Sequence, residues 1–147
     1  MIQSLNVESS RLVSVLEMPS SWRIRPSTWS NDARLSARSS AIVETRAREL
    51  GITHVLQGQS DKQQGFTDLL LETALTAADC CYAGDDLPDL PVLRAVGFAA
   101  TVADACDEVK SIAHWIAPRP GGSGAVRALA EYVLRAKGID FHAKVLG

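Results

Sequence analysis

Long apolar runs, basic clusters and aromatic residues are all scarce in this chain. No apolar run approaches the roughly 18 residues of a membrane span, and no charged segment followed by an apolar one opens the sequence. Aromatic residues make up 5% of the 147 residues and the formal net charge is −2, so a basic, stacking surface for nucleic acid is missing. We therefore expect a cytoplasmic protein without membrane or nucleic-acid partners.

Cysteine is also rare. The three cysteines are Cys80, Cys81 and Cys106, and they match neither a disulfide framework nor the spacing of a metal site. We expect them to be small buried hydrophobic residues.

The chain changes in character near residue 35. Residues 1–34 are interrupted by serine pairs and prolines and have no clear amphipathic register, although residues 11–16 favour a short strand or a helical turn. This lead is expected to be divergent and partly or wholly disordered. Its two tryptophans, Trp22 and Trp29, leave a partner-binding arm as an alternative. Residues 35–138 form the predicted α/β domain, and residues 139–147 form a C-terminal tail.

Helical and strand periods alternate through the predicted domain. Helices are predicted at residues 41–50, 61–75, 87–95, 104–113 and 124–136, and strands at 53–57, 80–83, 98–101 and 115–116. Such alternation favours a parallel sheet with helices on both faces. Ligands of such sheets bind beyond the carboxyl ends of the strands.

An acidic run follows the predicted strand at residues 80–83. Asp85, Asp86 and Asp89 lie within residues 84–91, just past the carboxyl end of that strand. Magnesium takes oxygen ligands and is commonly held by one or two carboxylates together with a substrate phosphate, so phosphate chemistry is one interpretation. A solvated acidic turn that caps the next helix is the other, because aspartate is favoured there.

Five segments carry a resemblance to a known family: residues 35–40, 42–52, 57–62, 84–91 and 120–127. In this order and at this spacing they resemble the 3-deoxy-D-manno-octulosonate 8-phosphate phosphatases of the haloacid dehalogenase superfamily. The resemblance covers about residues 35–138. It implies a cap-less, three-layer α/β sandwich with a parallel sheet, and a Mg²⁺-dependent phosphatase, usually a homotetramer. The implied reaction releases 3-deoxy-D-manno-octulosonate and phosphate for lipopolysaccharide synthesis, through a covalent aspartyl phosphate.

The resemblance also assigns roles around the metal. Asp85 matches the metal-binding carboxylate, and Asp86 supports the metal. Lys62 matches the lysine that neutralises the substrate phosphate, and Asp89 matches the acid that orients this lysine. Without the family context, Lys62 would be interpreted as a surface charge on a helix, and Asp89 could equally be a helix-surface acid.

Three further residues match substrate-binding positions of the family. Ser36 stands at the position of a phosphate-binding hydroxyl, while Arg38 and Arg46 match residues that contact the substrate's carboxylate and phosphate. Arg46 alone would be interpreted as a surface charge. Ala37 replaces the usual glycine. The loop at residues 120–124 either binds an anion or only begins the last helix.

The family's Asp-x-Asp motif has no counterpart in the sequence. In the family this motif ends the first, central strand and supplies the nucleophile and the general acid-base residue. We therefore expect the first central strand to be missing, and a truncated or out-of-frame lead is a hypothesis for residues 1–34. Two functions stay open: hydrolysis of the octulosonate phosphate, or binding of phosphate or a sugar acid by a catalytically inactive remnant.

Overall fold

The computed structural model describes residues 14–17, 33–35, 41–49, 52, 54–58, 60–136 and 138. Its strands are β1 (Ser14–Glu17), β2 (Ala33–Leu35), β3 (His54–Leu56), β4 (Cys80–Ala83), β5 (Phe98–Thr101) and β6 (Trp115–Ile116). Its helices are α1 (Ala41–Glu49), α2 (Lys62–Thr73), α3 (Leu90–Ala95), α4 (Asp107–Ile112) and α5 (Ala125–Ala136). Short 3-10 turns at Ala77–Asp79 and Leu87–Asp89 precede β4 and α3. In this part of the chain no helix is both long and apolar enough to cross a membrane.

The six strands form one sheet in the order β3-β2-β1-β4-β5-β6. β2 and β3 are parallel to each other, and so are β4, β5 and β6. β1 is antiparallel to both of its neighbours, β2 and β4, which therefore point the same way. Five of the six strands thus end at one edge of the sheet, the carboxyl edge. The predicted α/β class with a parallel open sheet is confirmed.

The central position of the sheet is occupied by β1, a segment of the lead. It pairs Val15 with Tyr82 and Glu17 with Cys80, so its carboxyl end lies beside the beginning of β4. The parallel central strand that the family resemblance requires is missing from the described residues, as predicted. An antiparallel strand fills its place, and the carboxyl end of that strand, Glu17, pairs with Cys80 at the edge opposite to the carboxyl edge. The proposed division into residues 1–34, 35–138 and 139–147 stays a prediction.

Two apolar clusters cover the two faces of the sheet. On one face, alternate residues of β4 and β5, including Cys80, Tyr82 and Ala99, pack with residues of α2, α3 and α4. On the other face, Cys81 and Ala100 pack with residues of α5. Because successive side chains of a strand point to opposite faces, a strand buried on both sides reads as a continuous apolar run. Cys80 and Cys81 are buried, as predicted, whereas Cys106 is only half-buried, because it lies in the loop ahead of α4 at the edge of the sheet.

Helix α4 begins later than predicted. The sequence indicates a helix from residue 104, whereas α4 begins at Asp107. Residues ahead of it are held in a loop, because the Cys106 amide donates to the Asp85 carbonyl (3.1 Å) and the Asp104 carboxylate accepts from the Gly121 amide (2.7 Å). Both contacts join this loop to neighbouring loops at the carboxyl edge, so tertiary contacts override the local helical pattern there.

Candidate active site

Loops from three neighbouring strands are joined at the carboxyl edge of the sheet. Besides the Cys106–Asp85 and Gly121–Asp104 hydrogen bonds, the Ala103 amide donates to the Arg119 carbonyl (3.2 Å). These bonds tie the loop after β4 to the loop after β5, and that loop to the loop after β6. The acidic run therefore lies in a set of loops that hydrogen bonds hold together. The glycine-rich segment at residues 120–124 belongs to this set, because the Gly121 amide donates to Asp104.

Lys62 is the first residue of α2, the helix that follows β3 along the chain. Asp61 caps this helix, and its carboxylate accepts from the Gln64 amide (3.1 Å). Lys62 points inward and is only 6% exposed, so the interpretation as a solvated surface charge is wrong. Burying an ammonium group is unfavourable unless a charged or hydrogen-bonding partner compensates.

Asp89 is that partner. Its side chain is fully buried, which excludes the alternative of a helix-surface acid. The Oδ1 atom of Asp89 accepts hydrogen bonds from Lys62 Nζ and from the Tyr82 hydroxyl (2.8 Å). The Oδ2 atom accepts from the backbone amides of Asp85 and Asp86, both at 3.2 Å. Four donors therefore hold one carboxylate, which has about four lone-pair positions to offer.

This arrangement links the lysine to the acidic run. Through one side chain, Asp89, the ammonium of Lys62 and the backbone of Asp85 and Asp86 are fixed relative to one another. An ammonium group has three donors, and Asp89 uses one of them. A cation held at a strand-end loop is suited to bind an anionic group such as a phosphate monoester.

Asp85 and Asp86 lie directly past β4, with only Gly84 between. The Oδ1 atom of Asp85 is buried, and its backbone carbonyl is fixed by the Cys106 amide. Asp86 is half-buried and begins the 3-10 turn that leads to Asp89. Within the described ranges, no group of three or more histidine, cysteine or acidic side chains is arranged to hold a metal ion.

The donor set nevertheless fits magnesium. Magnesium keeps several waters and needs only one or two protein carboxylates, with the remaining positions filled by a substrate phosphate. Asp85 and Asp86 offer two hard oxygen donors at the edge where such a substrate would bind. Zinc sites usually include nitrogen or sulfur ligands, which Asp85 and Asp86 do not supply.

Three predicted substrate-binding residues cannot be placed. Ser36 and Arg38 lie outside the described residues. Arg46 lies in α1, but its side chain is also outside the description. The structure therefore brings together Lys62, Asp89 and the backbone of Asp85 and Asp86, while the roles of all these residues stay predictions.

Two residues of this site were missed by the sequence analysis. Tyr82 and Thr101 are both buried strand residues, and both use a hydroxyl group at the site: Tyr82 donates to Asp89, and Thr101 donates to the Gly84 carbonyl (2.7 Å). Burial, together with the negative charge of Asp89, raises the pKa of the Tyr82 phenol far above its ordinary value. A signal was present, because a hydroxyl in an otherwise apolar buried strand needs a hydrogen-bond partner.

Comparison with known proteins places this geometry in a family. The model for the haloacid dehalogenase-like hydrolases matches residues 32–129. The chain belongs to this family. Its membership agrees with the fold, in which an acidic loop follows a parallel strand and faces a lysine at the carboxyl edge of the sheet.

Within the haloacid dehalogenase-like hydrolases, the chain is similar to 3-deoxy-D-manno-octulosonate 8-phosphate phosphatases. The enzyme of Escherichia coli K12 is 42% identical over 106 residues, which are 72% of this chain and 56% of that protein. The crystal structure of the Yersinia pestis enzyme superposes with a TM-score of 0.70 at 40% identity, over 72% of this chain and 57% of that one.

A third relative was solved with ligands. The Moraxella catarrhalis 3-deoxy-D-manno-octulosonate 8-phosphate phosphatase, in complex with a magnesium ion, a phosphate ion and KDO, has a TM-score of 0.72 and 39% identity, over 76% of this chain and 64% of that one. The chain thus spans little more than half the length of the curated relatives it matches. The predicted resemblance is confirmed, whereas the homotetramer and the cytoplasmic location stay predictions.

Proposed function

We propose that this site serves the hydrolysis of 3-deoxy-D-manno-octulosonate 8-phosphate to 3-deoxy-D-manno-octulosonate and phosphate. The observation that carries the proposal is the buried Lys62–Asp89 pair, fixed to the backbone of Asp85 and Asp86 at the carboxyl edge. The resemblance to phosphatases of this substrate, one of them solved with magnesium, phosphate and KDO, supports the same assignment.

Each residue has a proposed task. Lys62 donates to the phosphate oxygens, and Asp89 holds the ammonium group in place. Asp85, supported by Asp86, holds Mg²⁺, which supplies positive charge to stabilise the developing negative charge of phosphoryl transfer. Ser36, Arg38 and Arg46 are proposed to bind the substrate's phosphate and carboxylate groups. A homotetramer in the cytoplasm completes the proposal by analogy with the family.

A specific observation favours a second candidate function. The sequence contains no Asp-x-Asp motif, and the central strand β1 runs with its carboxyl end away from the site. Hydrolysis of a phosphate monoester requires a barrier reduction of up to about 20 kcal/mol or more, which binding residues alone do not supply. The second candidate is therefore a protein that binds phosphate or a sugar-acid phosphate without turning it over.

Phosphate release from 3-deoxy-D-manno-octulosonate 8-phosphate separates the two functions. The full chain is assayed with Mg²⁺ and with excess chelator, beside Asp85→Asn and the matched control Glu108→Gln, which changes an exposed acid of α4. Hydrolysis that needs both Mg²⁺ and Asp85, and is unchanged in the control, supports the phosphatase.

Calorimetric binding of the same substrate decides the remaining case. Mg²⁺-dependent binding without hydrolysis, lost in Asp85→Asn and in Lys62→Met but kept in Glu108→Gln, supports the binding protein and excludes turnover by this chain. If the chain neither hydrolyses nor binds the substrate, both functions are rejected.

A further inference from the structure

Tyr82 is a buried side chain of the site that has no assigned task. It lies in β4, three residues before Asp85, and its side chain is fully buried within the core cluster that covers this face of the sheet. Its ring meets the ring of Phe66 edge to face, with the centroids 6.3 Å apart. Phe66 belongs to α2, the helix that Lys62 begins. Tyr82 thus links β4, which leads into the acidic loop, to α2, which begins with Lys62.

The hydroxyl of Tyr82 reaches the same oxygen atom as Lys62. Asp89 Oδ1 accepts from Tyr82 at 2.8 Å and from Lys62 Nζ, while Oδ2 is occupied by two backbone amides. Hydrogen bonds to an ionised carboxylate are stronger than neutral ones, and they restrict its orientation. The phenol remains protonated as a donor, because burial and the nearby Asp89 raise its pKa.

We infer that Tyr82 is a positioning residue. Its hydroxyl and the ammonium of Lys62 both donate to Asp89 Oδ1, and the bond from Tyr82 leaves the lysine's remaining donors directed to a substrate phosphate. Without the hydroxyl, Lys62 would be the only side-chain donor to Oδ1 among the described residues, and the buried carboxylate would hold its ammonium more strongly. A buried carboxylate oxygen that loses a donor is unfavourable, and the flexible lysine is the group able to compensate. This inference rests on the proposed phosphate-binding role of Lys62.

The test compares two variants that each remove one hydroxyl. Tyr82→Phe removes the hydroxyl at Asp89 and keeps the ring against Phe66. Tyr132→Phe is the matched control, because Tyr132 is the other of the chain's two tyrosines and stacks on Phe98, with ring centroids 5.8 Å apart, on the opposite face of the sheet.

The first readout is the ammonium resonance of Lys62, observed by NMR in the full chain with isotope-labelled lysine and assigned with Lys62→Met. We expect the chemical shift of this resonance to change in Tyr82→Phe and to stay the same in Tyr132→Phe. Because no ligand is present, the result does not depend on the proposed function. A Lys62 resonance that is the same in wild type and Tyr82→Phe overturns the inference.

The second readout is the affinity for inorganic phosphate in the presence of Mg²⁺. We expect Tyr82→Phe to weaken this affinity roughly tenfold, because a misplaced Lys62 would lose one hydrogen bond to the charged phosphate. The affinity of Tyr132→Phe should be unchanged. Unchanged affinity in Tyr82→Phe overturns the inference. If the wild-type chain binds no phosphate while the Lys62 resonance moves as expected, the positioning by Tyr82 stands and the proposed function fails.

A third measurement applies if Tyr82→Phe does not fold. In Tyr132→Phe, Tyr82 is the sole tyrosine, so absorbance of the tyrosinate reports on it alone. We expect no tyrosinate to form at a pH near 10.0, the ordinary pKa of tyrosine, while the protein stays folded. Ionisation near that value in the folded protein would show that Tyr82 does not donate to Asp89, and would overturn the inference.

Discussion

Gly84 and Asp89 approach so closely that a residue with a Cβ atom fits at position 84 only if Asp89 moves. A Cβ atom built on Gly84 would lie 2.5 Å from the Cβ of Asp89 and 2.6 Å from its Cγ. The close approach lets the turn after β4 fold back, so that Asp89 reaches the amides of Asp85 and Asp86. Glycine at this point is therefore required by packing against the carboxylate that holds Lys62.

Replacing this glycine should disturb both stability and the site. For Gly84→Ala we expect a loss of about 1–3 kcal/mol in the free energy of unfolding, as for other overpacked buried positions, because the added methyl must displace Asp89. Urea unfolding measures it. Gly121→Ala is the matched control: its Cβ would meet nothing closer than Asp104 Oδ1 at 3.7 Å, so its stability should change by less than about 0.5 kcal/mol. Equal losses in the two variants would contradict the close contact at Gly84.

The two members of the buried pair should differ in their contributions to stability. Asp89→Asn should lower the free energy of unfolding by about 3–5 kcal/mol, because the new amide presents a donor to atoms that are themselves donors and leaves Lys62 without its counter-charge. Lys62→Met should lower it by only about 1–3 kcal/mol, since Asp89 keeps three other donors. Urea unfolding of the two variants ranks them, and a larger loss for Lys62→Met would contradict the role of Asp89 as the centre of the network.

The hydroxyl of Thr101 should stabilise the loop after β4. Thr101→Val keeps the shape of the side chain and removes the buried hydrogen bond to the Gly84 carbonyl, so we expect a loss of about 1–3 kcal/mol. Thr67→Val is the control, because the Thr67 hydroxyl bonds the Gln63 carbonyl on the exposed face of α2. Thermal unfolding of both variants should show a lower midpoint for Thr101→Val, and a similar midpoint for both would exclude a structural role of the Thr101 hydroxyl.

Alkaline pH should destabilise the protein through Tyr82. Its pKa is raised in the folded state, whereas the unfolded chain loses the proton at the ordinary value of 10.0. Above pH 10.0 the folded protein binds more protons than the unfolded chain, so the free energy of unfolding falls as pH rises. Below pH 10.0 the stabilisation by the protonated Tyr82 is fully present. Unfolding by urea at pH values on either side of 10.0 should therefore show a smaller decline in Tyr82→Phe than in Tyr132→Phe. Equal declines would contradict the raised pKa.

The secondary structure was predicted well because its signals are local. The β4 and β5 strands were predicted with the bounds that the structure shows, and the end of α5 was predicted at Ala136. Apolar residues that recur with the period of a helix or a strand define these elements within a few residues of sequence. The beginning of α4 was predicted three residues early, because contacts from Asp104 and Cys106 to other loops decide it.

The candidate site was predicted in part. Lys62, Asp85, Asp86 and Asp89 were named from the family resemblance, and in the structure Lys62 and Asp89 meet across 27 positions of sequence, while their roles stay predictions. Considered as single residues, Lys62 would have been interpreted as a surface charge, and Asp89 could equally have been a helix-surface acid. Tyr82 was missed because a tyrosine in an apolar strand gives no indication of which carboxylate its hydroxyl will reach.

By itself the sequence determined the order of strands and helices from α1 onward, the acidic turn past β4 and the absence of an Asp-x-Asp motif, because periodicity, turn residues and motifs are properties of short segments. Tertiary structure alone decided the direction of β1 in the centre of the sheet and the four donors that converge on Asp89. Both depend on which distant segments pack together. Burial in a shared core excludes water, and the polar groups enclosed there must then bond to one another.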